Sequence, residues 1–285
     1  MRTKHYISIA IALAALVAVF LYVPTTPPKG AKGMGAASQH NDAAGQVANA
    51  EPASIDSIIK ASKALLPPHA LTELAAIESQ IAQQKDSAQM ASLFEKSAEL
   101  WMEHKQGPMV AWNKGMAAHL ALSEKKLTFA GQLYLGLMHD ASTASMAAWE
   151  AGEAVKYLNE ALALNPNNDT TKLALATAYI EGTGAPMAGV SILREMITKN
   201  PDNIPANLLL GRLSIQSGQY DKAVERLEHV LTLDPKNREA LYFLGEAQKG
   251  KGENDKAIAT FRKLEGIVNN PDFTKDLEEY ISSFK

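Results

Sequence analysis

The chain has 285 residues, 46% of them hydrophobic, 21% charged and 6% aromatic, so it can bury a long core without a second domain. Its net charge of −3 gives no bulk argument for nucleic acid as a partner. It has no cysteine, which excludes a disulfide framework, thiol catalysis and thiolate zinc sites.

The N-terminus opens with a short tail, 1–6, that holds Arg2, Lys4 and His5. From Ile7 to Val23 the residues are apolar apart from Ser8 and Tyr22, and Pro24 closes the run. About seventeen residues at about 1.5 Å each reach roughly 26 Å, enough for one thin hydrocarbon core. A cleaved secretory signal is the alternative, but it wants small residues before the cut, and Phe20, Leu21, Tyr22 and Val23 lead directly into Pro24. Residues 7–23 are therefore read as a transmembrane signal-anchor that brings the chain to a membrane. Arg2 and Lys4 favour a cytoplasmic tail, while Lys29 and Lys32 beyond the span weaken that preference. Residues 24–53 are rich in Gly, Ala, Pro, Ser and Gln and read as a flexible linker, because so little apolar surface cannot offset the entropy of ordering.

Helical sequence begins at Ser54, an N-cap ahead of Ile55, Ile58, Ile59, Leu65 and Leu66, with Ser62 on the same face. Pro67-Pro68 separates this from Ala70 to Gln84, where Leu71, Leu74, Ile77 and Ile81 keep helical spacing. Ala88 to His104 and Met109 to Leu122 form a further pair, joined by Gln106-Gly107-Pro108, so that 54–128 reads as a degenerate helical region. Gly115 stands there where a larger residue is expected. Leu133, Leu135 and Gly136 begin the next first helix, and His139 to Glu153, longer than a normal repeat turn, holds either an extension of that helix or a small insertion.

From there one spaced pattern recurs four times. Ala154, Leu158, Ala161 and Pro166 are followed by Gly189, Leu193, Met196 and Pro201, by Ala223, Leu227, Val230 and Pro235, and by Ala257, Phe261, Leu264 and Asn269. The steps from Pro166 to Pro201, Pro235 and Asn269 are 35, 34 and 34 residues. A period of this size means stacked helical hairpins. Ala176, Gly211 and Gly245 supply a small residue in each first helix, where two antiparallel helices approach closely, and the proline stops the second helix.

This pattern resembles the tetratricopeptide repeat family, with small residues at the eighth and twentieth positions and proline at the thirty-second. Ile204 to Pro235 fits best, while Asn207, Leu241 and Asn269 depart from the usual aromatic and proline positions. The resemblance implies an all-α fold, a right-handed superhelical stack of helix-turn-helix repeats behind the N-terminal transmembrane helix. The repeats span about 129–168, 169–203, 204–237 and 238–271. Residues 272–285 then form a capping helix with Phe273, Leu277, Tyr280, Ile281 and Phe284 on its apolar stripe and Lys275, Asp276, Glu278 and Glu279 facing away.

Chemistry-bearing motifs are scarce. The sequence lacks HExxH, GxxxxGK[ST] and GxSxG, and the glycines of Gly30 to Gly35 follow no strand. Glu95, Glu99 and Glu103 stack at four-residue spacing, which reads as a solvated face because no further ligand completes a hard-cation site. Glu225 and His229 read as a surface contact, and His104, His119 and His139 form no metal-ligand spacing. Neither a catalytic site nor a cofactor or metal is expected, although the irregular stretch 88–153 is where a catalytic pocket would sit.

The resemblance points instead to protein binding, in a groove lined by the first helices. In similar arrays the contacts come from the second, fifth, ninth, twelfth and thirteenth positions. These give Leu173, Thr177, Ile180 and Glu181, then Leu208, Arg212, Ile215 and Gln216, then Glu239, Tyr242, Glu246 and Lys249. The carboxylate clamp that similar repeats use on heat-shock chaperone tails is absent, since its places hold Leu173, Thr177, Leu209, Glu239 and Phe243. The sequence thus reads as a single-pass scaffold or adaptor of a bacterial inner membrane, its repeats in the periplasm, binding a protein or peptide in envelope assembly, secretion or maturation. Two alternatives stay open: a cytoplasm-facing organiser of soluble enzymes, and a maturation factor of the cytochrome c assembly type.

Overall fold

Asparagines set where most of the later helices begin. The computed structural model describes Val47 and residues 50–283, and all regular structure among them is α-helical. The first six helices are α1 (Ile55–Lys63), α2 (Pro68–Gln83), α3 (Ser87–Glu103), α4 (Gly107–Leu120), α5 (Glu124–His139) and α6 (Ala144–Leu164). They are followed by α7 (Asp169–Gly182), α8 (Pro186–Lys199), α9 (Ile204–Gln216), α10 (Tyr220–Leu233), α11 (Arg238–Gly250), α12 (Asn254–Val268) and α13 (Pro271–Ser282). Ahead of α7, α9 and α11 the chain reads Pro-x-Asn. The side chains of Asn168, Asn203 and Asn237 accept the backbone N–H of Thr171, Ala206 and Ala240 at 3.1, 3.0 and 2.9 Å. Each bond satisfies an amide that a helix start would otherwise leave orphaned. Within the hairpins, Gly184, Gly218 and Gly252 take φ of 67°, 68° and 79°, a left-handed conformation costly for any side chain.

Consecutive helices pair as antiparallel hairpins, α3 with α4, α5 with α6, α7 with α8, α9 with α10 and α11 with α12, and each hairpin packs on the next. The small residues foreseen at the crossings are there for contact. A Cβ on Gly211 would meet Leu227, one on Gly245 would meet the Phe261 ring, and one on Gly189 would meet the carbonyl oxygen of Ala176. The cores are correspondingly segmented. Ala176, Leu193, Met196, Ala206 and Leu210 form one cluster, Ala223, Leu227, Val230, Ala240 and Leu244 the next, and Ala257, Phe261, Leu277 and Ile281 the last.

The first half shares one larger core that runs from Ile58 to Ala178. Ser54 caps α1 by accepting the Ser57 amide at 3.3 Å, and Ile58, Ser62 and Leu66 are buried. Leu65 is 69% exposed, because α1 ends at Lys63 and the turn swings it out of the helical face it was assigned to. At the stretch His139 to Glu153, the first helix α5 begins at Glu124, well ahead of Leu133, and ends at His139, so it is not the helix that is extended. The extra length lies in the second helix, α6, which runs for 21 residues from Ala144. Gly115 is small because the Tyr157 ring from α6 lies where its Cβ would be. The end of the segment read as linker is held in place, since the Ala53 amide donates to the Ser145 carbonyl at 2.9 Å.

The membrane expectation needs correction. Among the described residues no helix is long and apolar enough to cross a membrane, so the single-pass inner-membrane placement has no support. Residues 7–23, on which that placement and the transmembrane helix rested, lie outside the described residues, as do the tail 1–6 and the linker up to 46.

At the C-terminus, α13 buries Leu277 and Ile281 against Ala257 and Phe261, with Phe273 and Tyr280 half-buried beside them. Lys275, Asp276 and Glu279 are exposed, whereas Glu278 turns back to pair with Arg262 of α12. Phe284, the last member of the expected stripe, lies outside the described residues.

Candidate protein-binding face

The first helices α7, α9 and α11 each carry a small crossing residue one position before a residue of the candidate face. Ala176 precedes Thr177, Gly211 precedes Arg212 and Gly245 precedes Glu246. On α7, Leu173, Thr177, Ile180 and Glu181 are half-buried. On α9, Leu208 is buried while Arg212, Ile215 and Gln216 are half-buried. On α11, Glu239 is exposed, and Tyr242, Glu246 and Lys249 are half-buried.

Charges on this face pair across the helices. The Arg212 guanidinium donates to the Glu181 carboxylate, and His139 Nε2 at the end of α5 lies 3.5 Å from the other oxygen of Glu181. One ladder therefore ties α5, α7 and α9. A second joins α11 to α13. Lys249 Nζ donates to the Tyr280 hydroxyl at 2.9 Å and sits 4.2 Å from its ring centroid, and that hydroxyl donates to Glu246 at 2.5 Å. Burial pushes the Glu246 carboxyl up, while the Tyr280 hydrogen bond and the Lys249 charge pull it down. Tyr242 packs against the same cluster as Tyr280 and Phe273. The α11 part of the expected groove is thus largely engaged by the chain's own last helix, and Glu239 alone of its four residues is exposed.

Residues 184–231 and 214–273 match the family model described as tetratricopeptide repeat. The structure is similar to MamA 41-end from Desulfovibrio magneticus RS-1, with a TM-score of 0.50 and 17% identity over 66% of this chain and 98% of that one. This likeness shows the fold alone. TTC0263, a thermophilic tetratricopeptide repeat protein of Thermus thermophilus, gives a TM-score of 0.48 and 18% identity over 68% of this chain and 98% of that one. YrrB, described as having an unusual peptide-binding site, gives 0.47 and 18% over 72% and 98%. No curated protein matches the sequence.

The first helix α5, ahead of the matched residues, also carries a small residue at its crossing, which the sequence pattern did not reveal. A Cβ on Gly131 would meet Leu158, so Gly131 is the crossing residue of α5. Around it on α5, Thr128 and Leu135 are buried, and Gln132 and Gly136 are exposed. The Thr128 and Thr171 hydroxyls lie 2.7 Å apart and join α5 to α7 beneath the face. The distance from Gly131 to Ala154 is 23 residues, against 12 from Gly211 to Ala223, and the long α6 hides the pairing from a fixed-period search.

The other candidates disperse. His104 lies near His69 with ring centroids 6.1 Å apart and planes tilted by 58°, His119 lies 2.8 Å from Glu160, and His139 is held by Glu181. His229 contacts Asp202 at 3.0 Å rather than Glu225. Burial pushes Glu95 up, but Lys126 at 2.8 Å and Lys114 at 3.0 Å hold it below the usual carboxylate range. Among the described residues no group of three His, Asp or Glu could hold a metal ion. In the stretch 88–153 a shallow, mainly apolar hollow is lined by Met102, Lys105, Val110, Ala111, Leu133 and Leu137, with no histidine or carboxylate beside the lysine.

Proposed function

We propose that this protein is a non-catalytic scaffold that captures an extended or helical segment of another protein on the face formed by α5, α7 and α9. The observation that carries this reading is the stacked first helices, which present Thr177, Ile180, Ile215 and Gln216 part-exposed on a framework fixed by buried crossings. A preformed surface of this kind spends little free energy on ordering when a partner docks. Glu181 is matched by Arg212 and His139, so the middle of the face offers no uncompensated charge, and apolar and amide contacts select the partner.

Peptide display against the full chain tests this. Enriched peptides are expected to carry apolar residues at alternating or helical spacing, and to lose at least tenfold in affinity on Thr177→Arg with helical content unchanged. Peptides that bind Thr177→Arg as well as the parent, or no enrichment at all, would remove the face from the reading.

A further inference from the structure

An unpartnered carboxyl group lies away from that face, inside the α5–α6 hairpin. Glu150 on α6 is 2% exposed, and its Oε2 has no hydrogen-bond partner among the described residues. The hydroxyls of Tyr134 and Tyr157, buried in the same hairpin, are also without partners there. The two tyrosine rings stack with centroids 5.9 Å apart, and Trp149 meets Tyr134 edge-on at 5.4 Å. A neutral acid is tolerated in such aromatic surroundings, but a carboxylate has nothing to offset its lost hydration.

No cation faces it. On α4, Lys114 is held by Glu95 and His119 by Glu160; on α7, Lys172 is near Glu195, and Glu181 is held by Arg212 and His139. On α6 itself Glu153 pairs with Lys156. Tyr134 of α5 and Tyr157 of α6 are neutral phenols whose burial raises them further above neutrality. Glu51, two residues before the Ala53 that bonds Ser145, is exposed. Asp140, in the turn between α5 and α6, acts on Glu150 with the same sign of charge.

We propose that Glu150 is a pH-sensitive brace: as a neutral acid it lets the N-terminal half of α6 dock on α5 and α7, and its ionisation loosens that docking. The adjoining packing is tight enough to feel this, because Gly182 of α7 is small where a Cβ would meet Ala151 of α6 and Met138 of α5. Burial and then Asp140 push the carboxyl up to about 7 from an ordinary 4.5. The folded value lies above the unfolded one. Stability from the neutral form is therefore complete below about 4.5, declines as pH rises, and is fully lost above about 7. The inference holds whatever occupies the first-helix face.

Hydrogen exchange of the full chain at pH 6 and pH 8, corrected for the intrinsic rate, tests it. Relative to the Glu150→Gln protein, peptides covering 144–157 should lose about tenfold more protection over this interval, while peptides covering 204–264 should not. Equal responses in the two proteins would overturn the proposal. Should Glu150→Gln fail to fold, a carbon-detected NMR titration of the unaltered protein decides, with an inflection of the Glu150 carboxyl near 7 supporting the brace and one near 4.5 overturning it.

Discussion

Gly189 stands at a crossing in a second helix and Gly245 at one in a first helix, and they face different neighbours. A Cβ on Gly189 would press on the backbone oxygen of Ala176, which cannot move without the helix, whereas one on Gly245 would press on the far edge of the Phe261 ring. Gly189→Ala is therefore expected to cost about 1–3 kcal/mol, the range for overpacking, and Gly245→Ala clearly less, as read from urea unfolding midpoints. Both glycines were legible in the sequence, because the crossing demands a small residue and the period repeats it. The pairing of Arg212 with Glu181 was not. The two stand 31 residues apart, and only the stacking of α7 on α9 reveals that one neutralises the other. Leu65 was misread for a local reason, as helical spacing continues past the last helical residue on paper but not in the chain.

At the scale of elements, α13 does more than close the stack. Its Leu277 and Ile281 complete the core around Phe261, and its Tyr280 binds both Glu246 and Lys249 of α11. Ile281→Ala should cost about 2–4 kcal/mol, the range for truncating a buried aliphatic side chain, and should increase hydrogen exchange in α12 before it does so in α8. The amphipathic stripe made the cap readable from sequence. Its grip on the α11 face positions was not readable, because a family position marks where a side chain points and not what the chain itself puts there. The crossing residue of α5, Gly131, was also hidden, because the long α6 puts it outside the spacing that the later hairpins repeat.

For the whole molecule, segmented cores mean that each hairpin is stabilised by its neighbours, and the product of that stacking is one continuous side of first helices. The all-helical repeat architecture was legible because its period survives in Pro166, Pro201 and Pro235. The identity of a partner was not, since half-buried Leu, Ile, Thr and Gln side chains set a shape and a polarity rather than a name. Site-specific photocrosslinking in cells tests the central claim most directly, with the reactive group placed at Thr177 or Ile215 on the first-helix face, or at Arg194 or Glu228 on the exposed side of second helices. The account predicts that Thr177 and Ile215 capture the same protein while Arg194 and Glu228 do not; capture from Arg194 and Glu228 alone would contradict it.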